Sequence, residues 1–183
     1  NIYEIGIGKF KNSINPQTNT FREFPSKLSN LGITKKDKLA IYCTGGIRCE
    51  KASAYLKQNG YQNVSQLKGG ILNYLDYFNK NKKNINKSLW EGECFVFDER
   101  VTINNSLQKG KYIQCHGCRH PITNEDIQLE SYKKGVSCKY CHKKRSLKQI
   151  KKSEARQLQI NLAEKRGENH TFTKIYTKNT KNN

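Results

Sequence analysis

The sequence predicts an α/β chain: a doubly wound parallel sheet, then a small four-cysteine module, then a basic C-terminal helix. Three observations carry that prediction. Residues 1–80 alternate short apolar runs, glycine turns and helical patterns; residues 115–141 hold two Cys-x2-Cys pairs; and Leu147, Ile150, Leu158 and Leu162 recur at helical spacing in a lysine-rich stretch. The expected division is an α/β domain over 1–80 and a second region over 81–183, comprising linker, β segment, metal-binding module and tail.

Leu39-Ala40-Ile41-Tyr42-Cys43, preceded by the turn Lys35-Lys36-Asp37-Lys38, suits a buried parallel strand. It runs into Thr44-Gly45-Gly46, after which a helix is expected from Arg48 to Gln58. Ala52, Tyr55 and Leu56 would form its apolar face and Gly60 its stop. Val64 to Leu67 reads as a second strand, and Gly69-Gly70 turns into a helix from Ile71 to Phe78. Residues 79–89 are Asn/Lys-rich and read as a linker. Glu93 to Ile103 reads as a β segment, and the last dozen residues as disordered. No internal repeat is visible.

The chain carries 34 Lys and Arg against 15 Asp and Glu, a net charge of +19. Residues 143–183 alone hold 12 basic and 3 acidic side chains, a local excess of +9. Such a surface attracts polyanions, and counterion release makes phosphate binding favourable. An AT-rich genome would raise Lys, but here the acidic residues are also few. Nucleic acid is the partner this balance predicts. No run approaches the roughly 18 apolar residues of a membrane span, and no signal peptide opens the chain. The expectation is a soluble, cytoplasmic protein with no membrane partner.

Cys43-Thr44-Gly45-Gly46-Ile47-Arg48 lies where a strand gives way to a helix, the edge at which open α/β sheets bind ligands. The glycines let backbone N–H groups turn inward into a nest for negative charge, and the helix N-terminus adds to it. A thiol held there ionises readily, which suits a nucleophile or a persulfide carrier. Cys43 and Arg48 are the candidate catalytic residues, with Thr44, Gly45 and Gly46 as substrate contacts. Arg48 follows Cys43 by five positions; a cysteine phosphatase places its arginine one position further on. The shorter loop matches a sulfurtransferase. Cys49 reads as a core residue, with a resolving thiol as the alternative.

Cys115-x2-Cys118 and Cys138-x2-Cys141, separated by nineteen residues, have the spacing of a closed four-thiolate zinc-ribbon-like site. With no position left open, the zinc would be structural. His142 in place of one thiolate is a weaker alternative, and His116 and His120 read as neighbours of the ligands. Trp90 to Arg100 holds the densest acidic cluster. Asp98 and Arg100 either contact substrate near Cys43 or form a salt-bridged polar face. Lys148, Lys151, Lys152 and Arg156 lie on the basic helix, whose apolar stripe is incomplete; they are expected mostly in water and free to follow a nucleic-acid backbone. No motif for an organic cofactor or a non-haem iron triad is present.

The run Tyr42-Cys-Thr-Gly-Gly-Ile-Arg-Cys-Glu-Lys-Ala-Ser-Ala-Tyr55 resembles the signature of the bacterial tRNA uridine hydroxylase family, whose members contain a rhodanese domain. Thr20-Phe-Arg-Glu-Phe-Pro25, Gln66-Leu-Lys-Gly-Gly-Ile71 and Ser88 to Val101 match in the same order. So do Cys115-His-Gly-Cys-Arg-His-Pro121 and the stretch from Arg156 to Arg166-Gly-Glu-Asn-His170. The resemblance spans nearly the whole chain. It implies a rhodanese-like fold for residues 1–80 and oxygen-dependent formation of 5-hydroxyuridine at the tRNA wobble uridine (position 34). Oxygen is then the co-substrate, and the family's persulfide cysteine falls on Cys43. Members also carry an N-terminal α/β domain of about a hundred residues and a first rhodanese strand ending in Asp-x-Arg-Asn. Against that pattern the sequence is expected to begin at Asn1, without that domain and strand. A plain sulfurtransferase, or a tRNA-binding module without chemistry, are the alternative functions.

Overall fold

The computed structural model describes residues 1–81 and 87–168. The chain divides into two compact units, Asn1–Gly110 and Lys111–Asn183. Residues 82–86 of the expected linker, the Asn169-His170 end of the last matching stretch and the tail expected to be disordered lie outside the described residues.

In the first unit the elements run α1 (Ile2–Ile5), β1 (Gly8–Phe10), α2 (Phe24–Lys27), β2 (Lys38–Ile41), α3 (Ile47–Gln58), β3 (Asn63–Gln66), α4 (Gly70–Lys80), β4 (Trp90–Gly92), β5 (Cys94–Phe95) and β6 (Thr102–Ile103). β2 and β3 pair in parallel, Leu39 opposite Val64 and Ile41 opposite Gln66, with α3 as the crossover. Among the described residues parallel pairing is confined to these two strands, so they show one βαβ unit and not the doubly wound parallel sheet that was expected. α3 buries Cys49, Ala52 and Leu56, with Tyr55 half-buried beside them. It ends where expected: Gly60 takes φ +85°, and the Tyr61 N–H returns to the Leu56 carbonyl at 3.1 Å.

The β segment that the sequence grouped with the second region lies in the first unit. β1 pairs antiparallel with β4, setting Phe10 opposite Trp90, and β5 pairs antiparallel with β6. Ile71 and Leu75 of α4 are buried together with Trp90, Cys94, Val96 and Ile103. Phe10 packs edge-on against Tyr42, Tyr74 and Trp90 at centroid distances of 4.8, 4.7 and 5.1 Å. Aromatic rings bury large apolar areas, and this group ties residues 90–103 to the body.

The second unit comprises β7 (Ile113–Gln114), β8 (Pro121–Ile122) and α5 (Leu147–Lys165). β7 and β8 form a short antiparallel hairpin around the first cysteine pair. Ser146 caps α5, accepting from the Gln149 N–H while its own N–H is taken by the Gln149 side chain. The incomplete apolar stripe stays largely outside the contact: Leu147, Leu158 and Leu162 are exposed and Ile150 only half-buried. The helix docks by Ser153, Arg156 and Gln157, which share one face at i, i+3 and i+4. Ser153 is buried, and the Arg156 guanidinium donates to the carbonyls of His116 (3.2 Å) and Gly135 (2.9 Å). The facing backbone offers carbonyls rather than apolar side chains, so polar residues win the contact. Arg156, expected mostly in water, is therefore half-buried.

Candidate active-site loop and metal cluster

Cys43 sits just past the end of β2, in a loop fixed from both sides. The first N–H groups of α4 support it: Ile71 donates to the Cys43 carbonyl at 3.0 Å and Leu72 to the Thr44 carbonyl at 3.1 Å. A Cβ on Gly70, at φ +66°, would fall 2.5 Å from both carbonyl oxygens. Only glycine allows that approach. Gly46, at φ +94°, reverses the chain into α3, so that its N–H meets Cys43 Sγ at 3.1 Å.

A separate set of donors converges on the Cys43 sulfur. A hydrogen bond from the Cys49 thiol lowers its pKa most, burial opposes, and backbone N–H groups of Cys49, Gly46 and Arg48 add to the lowering. The result is a pKa of about 5, so Cys43 is a thiolate at neutral pH. Cys49 is pushed up by the same bond, by its burial and by the adjacent negative sulfur. Cys49 is thus core, as expected, and also a donor to the reactive sulfur.

Arg48 is brought to the loop but does not stand open. Its guanidinium forms a two-pronged pair with Glu4, at 2.8 and 2.7 Å, and reaches Thr44 Oγ1 at 3.3 Å. Burial disfavours the Glu4 charge, but the hydrogen-bonded pair with Arg48 opposes it, and the carboxyl stays below its ordinary range. The Phe97 ring lies 5.4 Å from the same guanidinium. Thr44 is buried and donates to the Phe95 carbonyl at 3.1 Å, so its hydroxyl fixes the loop. Gly45 has open space beside it. Asp98 and Arg100 pair with each other at 2.6 Å on the surface. They are not among the residues that line the neighbouring cavity.

That cavity, of about 230 Å³, is predominantly apolar. Cys43, Arg48 and Cys49 contribute to its wall, together with the rings of Tyr42, Trp90 and Phe95. Glu4, which sequence reading missed, also lines it. Glu4 lies 44 positions from Arg48, and no local pattern marks a pairing over that distance.

Residues 3–77 match the family model of the rhodanese-like domain. The chain contains a rhodanese-like domain. The loop just described lies within the matched residues, with Cys43 at its head and Arg48 in the first turn of α3.

In the second unit the sulfurs of Cys115, Cys118, Cys138 and Cys141 all lie within 4.8 Å of one another. Cys118 and Cys138 are 3.6 Å apart, and Cys138 and Cys141 3.9 Å. Four thiolates around a tetrahedral zinc at about 2.3 Å would stand roughly 3.8 Å apart, so the cluster fits such an ion. The hydrogen bond from Cys118 draws Cys115 down to about 4, aided by the Cys118 and Gly117 N–H groups. Cys118 is pushed up in turn, and burial raises Cys138 to about 11. Thiols this close compete for protons, and a divalent cation removes that competition. His142 is not one of the four; His120 stacks on Tyr140 at 4.8 Å.

No described helix is long and apolar enough to cross a membrane. Lys148, Lys151 and Lys152 are exposed on α5.

Proposed function

We propose that this chain hydroxylates the wobble uridine of tRNA to 5-hydroxyuridine in an oxygen-dependent reaction at Cys43. The observation that carries this reading is a Cys43 thiolate in a nest of N–H donors beside an aromatic-walled apolar cavity. A flipped-out pyrimidine stacks on such rings and is held away from water. Addition of the thiolate to C6 of uracil would place electron density on C5, the carbon that must gain oxygen. Dioxygen would then bond to C5, and a two-electron donor would reduce its second oxygen atom to water and leave a C5 hydroxyl. Loss of the C5 proton would break the C6–S bond and return the thiolate to the nest. The charge of +19 and the ordered resemblance across both units supply the tRNA.

Zinc held by Cys115, Cys118, Cys138 and Cys141 is structural in this reading, because four thiolates leave no open position. Arg48 positions the loop, and Asp98 and Arg100 form a surface pair that substrate can meet. The reading assigns the protein to the cytoplasm, where thiols stay reduced. Nucleoside analysis of tRNA from cells lacking the gene tests it. Loss of 5-hydroxyuridine derivatives is expected; unchanged levels in a strain with no second route to them would overturn it.

A second reading, sulfur transfer from a Cys43 persulfide, is favoured by the rhodanese-like domain and by donors that would equally hold a persulfide anion. Its test is Cys43-dependent thiocyanate formation from thiosulfate and cyanide.

A further inference from the structure

The first cysteine knuckle and the docked face of α5 enclose a concavity of about 300 Å³, and its walls are basic. Arg119 comes from the knuckle, Arg145 from the loop before the helix, and Lys152 and Arg156 from successive turns of α5. Gly117 and Ser153 also line it. None of the four cations is in an ion pair among the described residues; the nearby Glu154 is taken by Lys133. Two of the four are held rigidly. Arg145 donates to the Val136 carbonyl and, at 2.8 Å, to Ser153 Oγ, while Arg156 bridges the carbonyls of His116 and Gly135. Gly117 leaves room for this: a Cβ there would lie 2.7 Å from Arg145 Nη1.

Four positive charges converging on one concavity, with no carboxylate among them, repel one another unless an anion joins them. Arginine forks match phosphate oxygens, and their fixed orientation removes most of the ordering cost. We propose that this notch is a phosphate site that holds one backbone phosphodiester of the RNA; the RNA part rests on the tRNA reading above. It differs from a helix face tracking the backbone. Arg119 and Arg145, outside α5, take part, whereas Lys148 and Lys151 do not line the notch. Arg145 and Arg156 both anchor to the chain around the cysteine cluster, so the notch is assembled only where that fold is in place.

The test uses the full zinc-loaded chain and an unmodified tRNA. The side chains of Arg119 and Lys152 are exposed, and the hydrogen bonds of Arg119 within the knuckle are made by its backbone, so Arg119→Ala/Lys152→Ala should keep its metal and fold. Lys134→Ala/Lys165→Ala removes the same charge elsewhere in the second unit. The notch variant is expected to bind tRNA at least tenfold more weakly, and the control less than threefold. The two single notch variants should together lose more than the double, because both act on one phosphate. Equal losses in notch and control variants, or no loss in either, would overturn the notch and leave tRNA binding standing. No binding of tRNA by the unaltered chain would overturn the notch and the tRNA reading together.

Discussion

A cysteine at the end of a buried strand is ordinarily an inert apolar residue. Cys43 differs because the residues after it turn their N–H groups, and the Cys49 thiol, onto its sulfur. Its thiolate should therefore persist well below the usual thiol range. Alkylation of Cys43 by iodoacetamide should stay near its plateau from pH 8 downward and fall only around pH 5. Cys49→Ala removes the largest of the lowering contributions, and the midpoint should move up. A Cys43 titrating like a free thiol, near 8.5, would contradict the nest. A depressed thiol pKa stabilises the fold above the unfolded thiol pKa, and that contribution is lost as pH falls towards 5. Cys43 and Arg48 were legible because glycines and a nearby arginine are local signals. Glu4 was not, since its pairing depends on the folded path between them, and Cys49 was read as core or a resolving thiol because no local pattern marks its donation to Cys43.

At the scale of elements, the loop depends on α4 as much as on β2. Gly70→Ala would drive a Cβ into the carbonyls of Cys43 and Thr44, in a backbone conformation that costs L residues on the order of 1 kcal/mol by itself. The expected result is a loss of about 2–3 kcal/mol in urea unfolding and loss of the low Cys43 pKa. An unchanged alkylation profile in the folded variant would refute the contact. α3, α4 and the two parallel strands were legible to within a few residues, because periodicity and the glycine stops agree, whereas the short α1 and α2 were not. The docking face of α5 was not. Its leucines were the visible signal, whereas Arg156 donates to backbone carbonyls and Ser153 accepts from Arg145, which itself donates to the Val136 carbonyl. Arg156→Ala should therefore destabilise the second unit by about 2 kcal/mol, the scale of a charged hydrogen bond. Lys148→Ala/Lys151→Ala should leave it within about 0.5 kcal/mol. Thermal unfolding of the second unit, followed by far-UV circular dichroism, separates the two.

At the scale of the whole molecule, the cysteine spacing alone announced the second unit, and the four sulfurs meet as that spacing requires. One zinc per chain is expected by metal analysis. Cys118→Ser or Cys138→Ser should release it and unfold the ribbon, because binding energy there is folding energy. Metal-free protein with unaltered stability would refute a structural ion. The extent of the first unit was less legible: residues 90–103 carry charges that read as surface, while Trp90, Cys94, Val96 and Ile103 fill its core. The central claim joins both units, a thiolate at Cys43 acting on tRNA. Its most direct test is to restore the gene as Cys43→Ser in cells lacking it, with tRNA affinity of the purified variant measured alongside nucleoside composition. The account predicts unaltered tRNA affinity and no 5-hydroxyuridine derivatives. Full levels of the modified nucleoside from the Cys43→Ser protein would contradict it and leave a tRNA-binding module whose Cys43 has no role in modification.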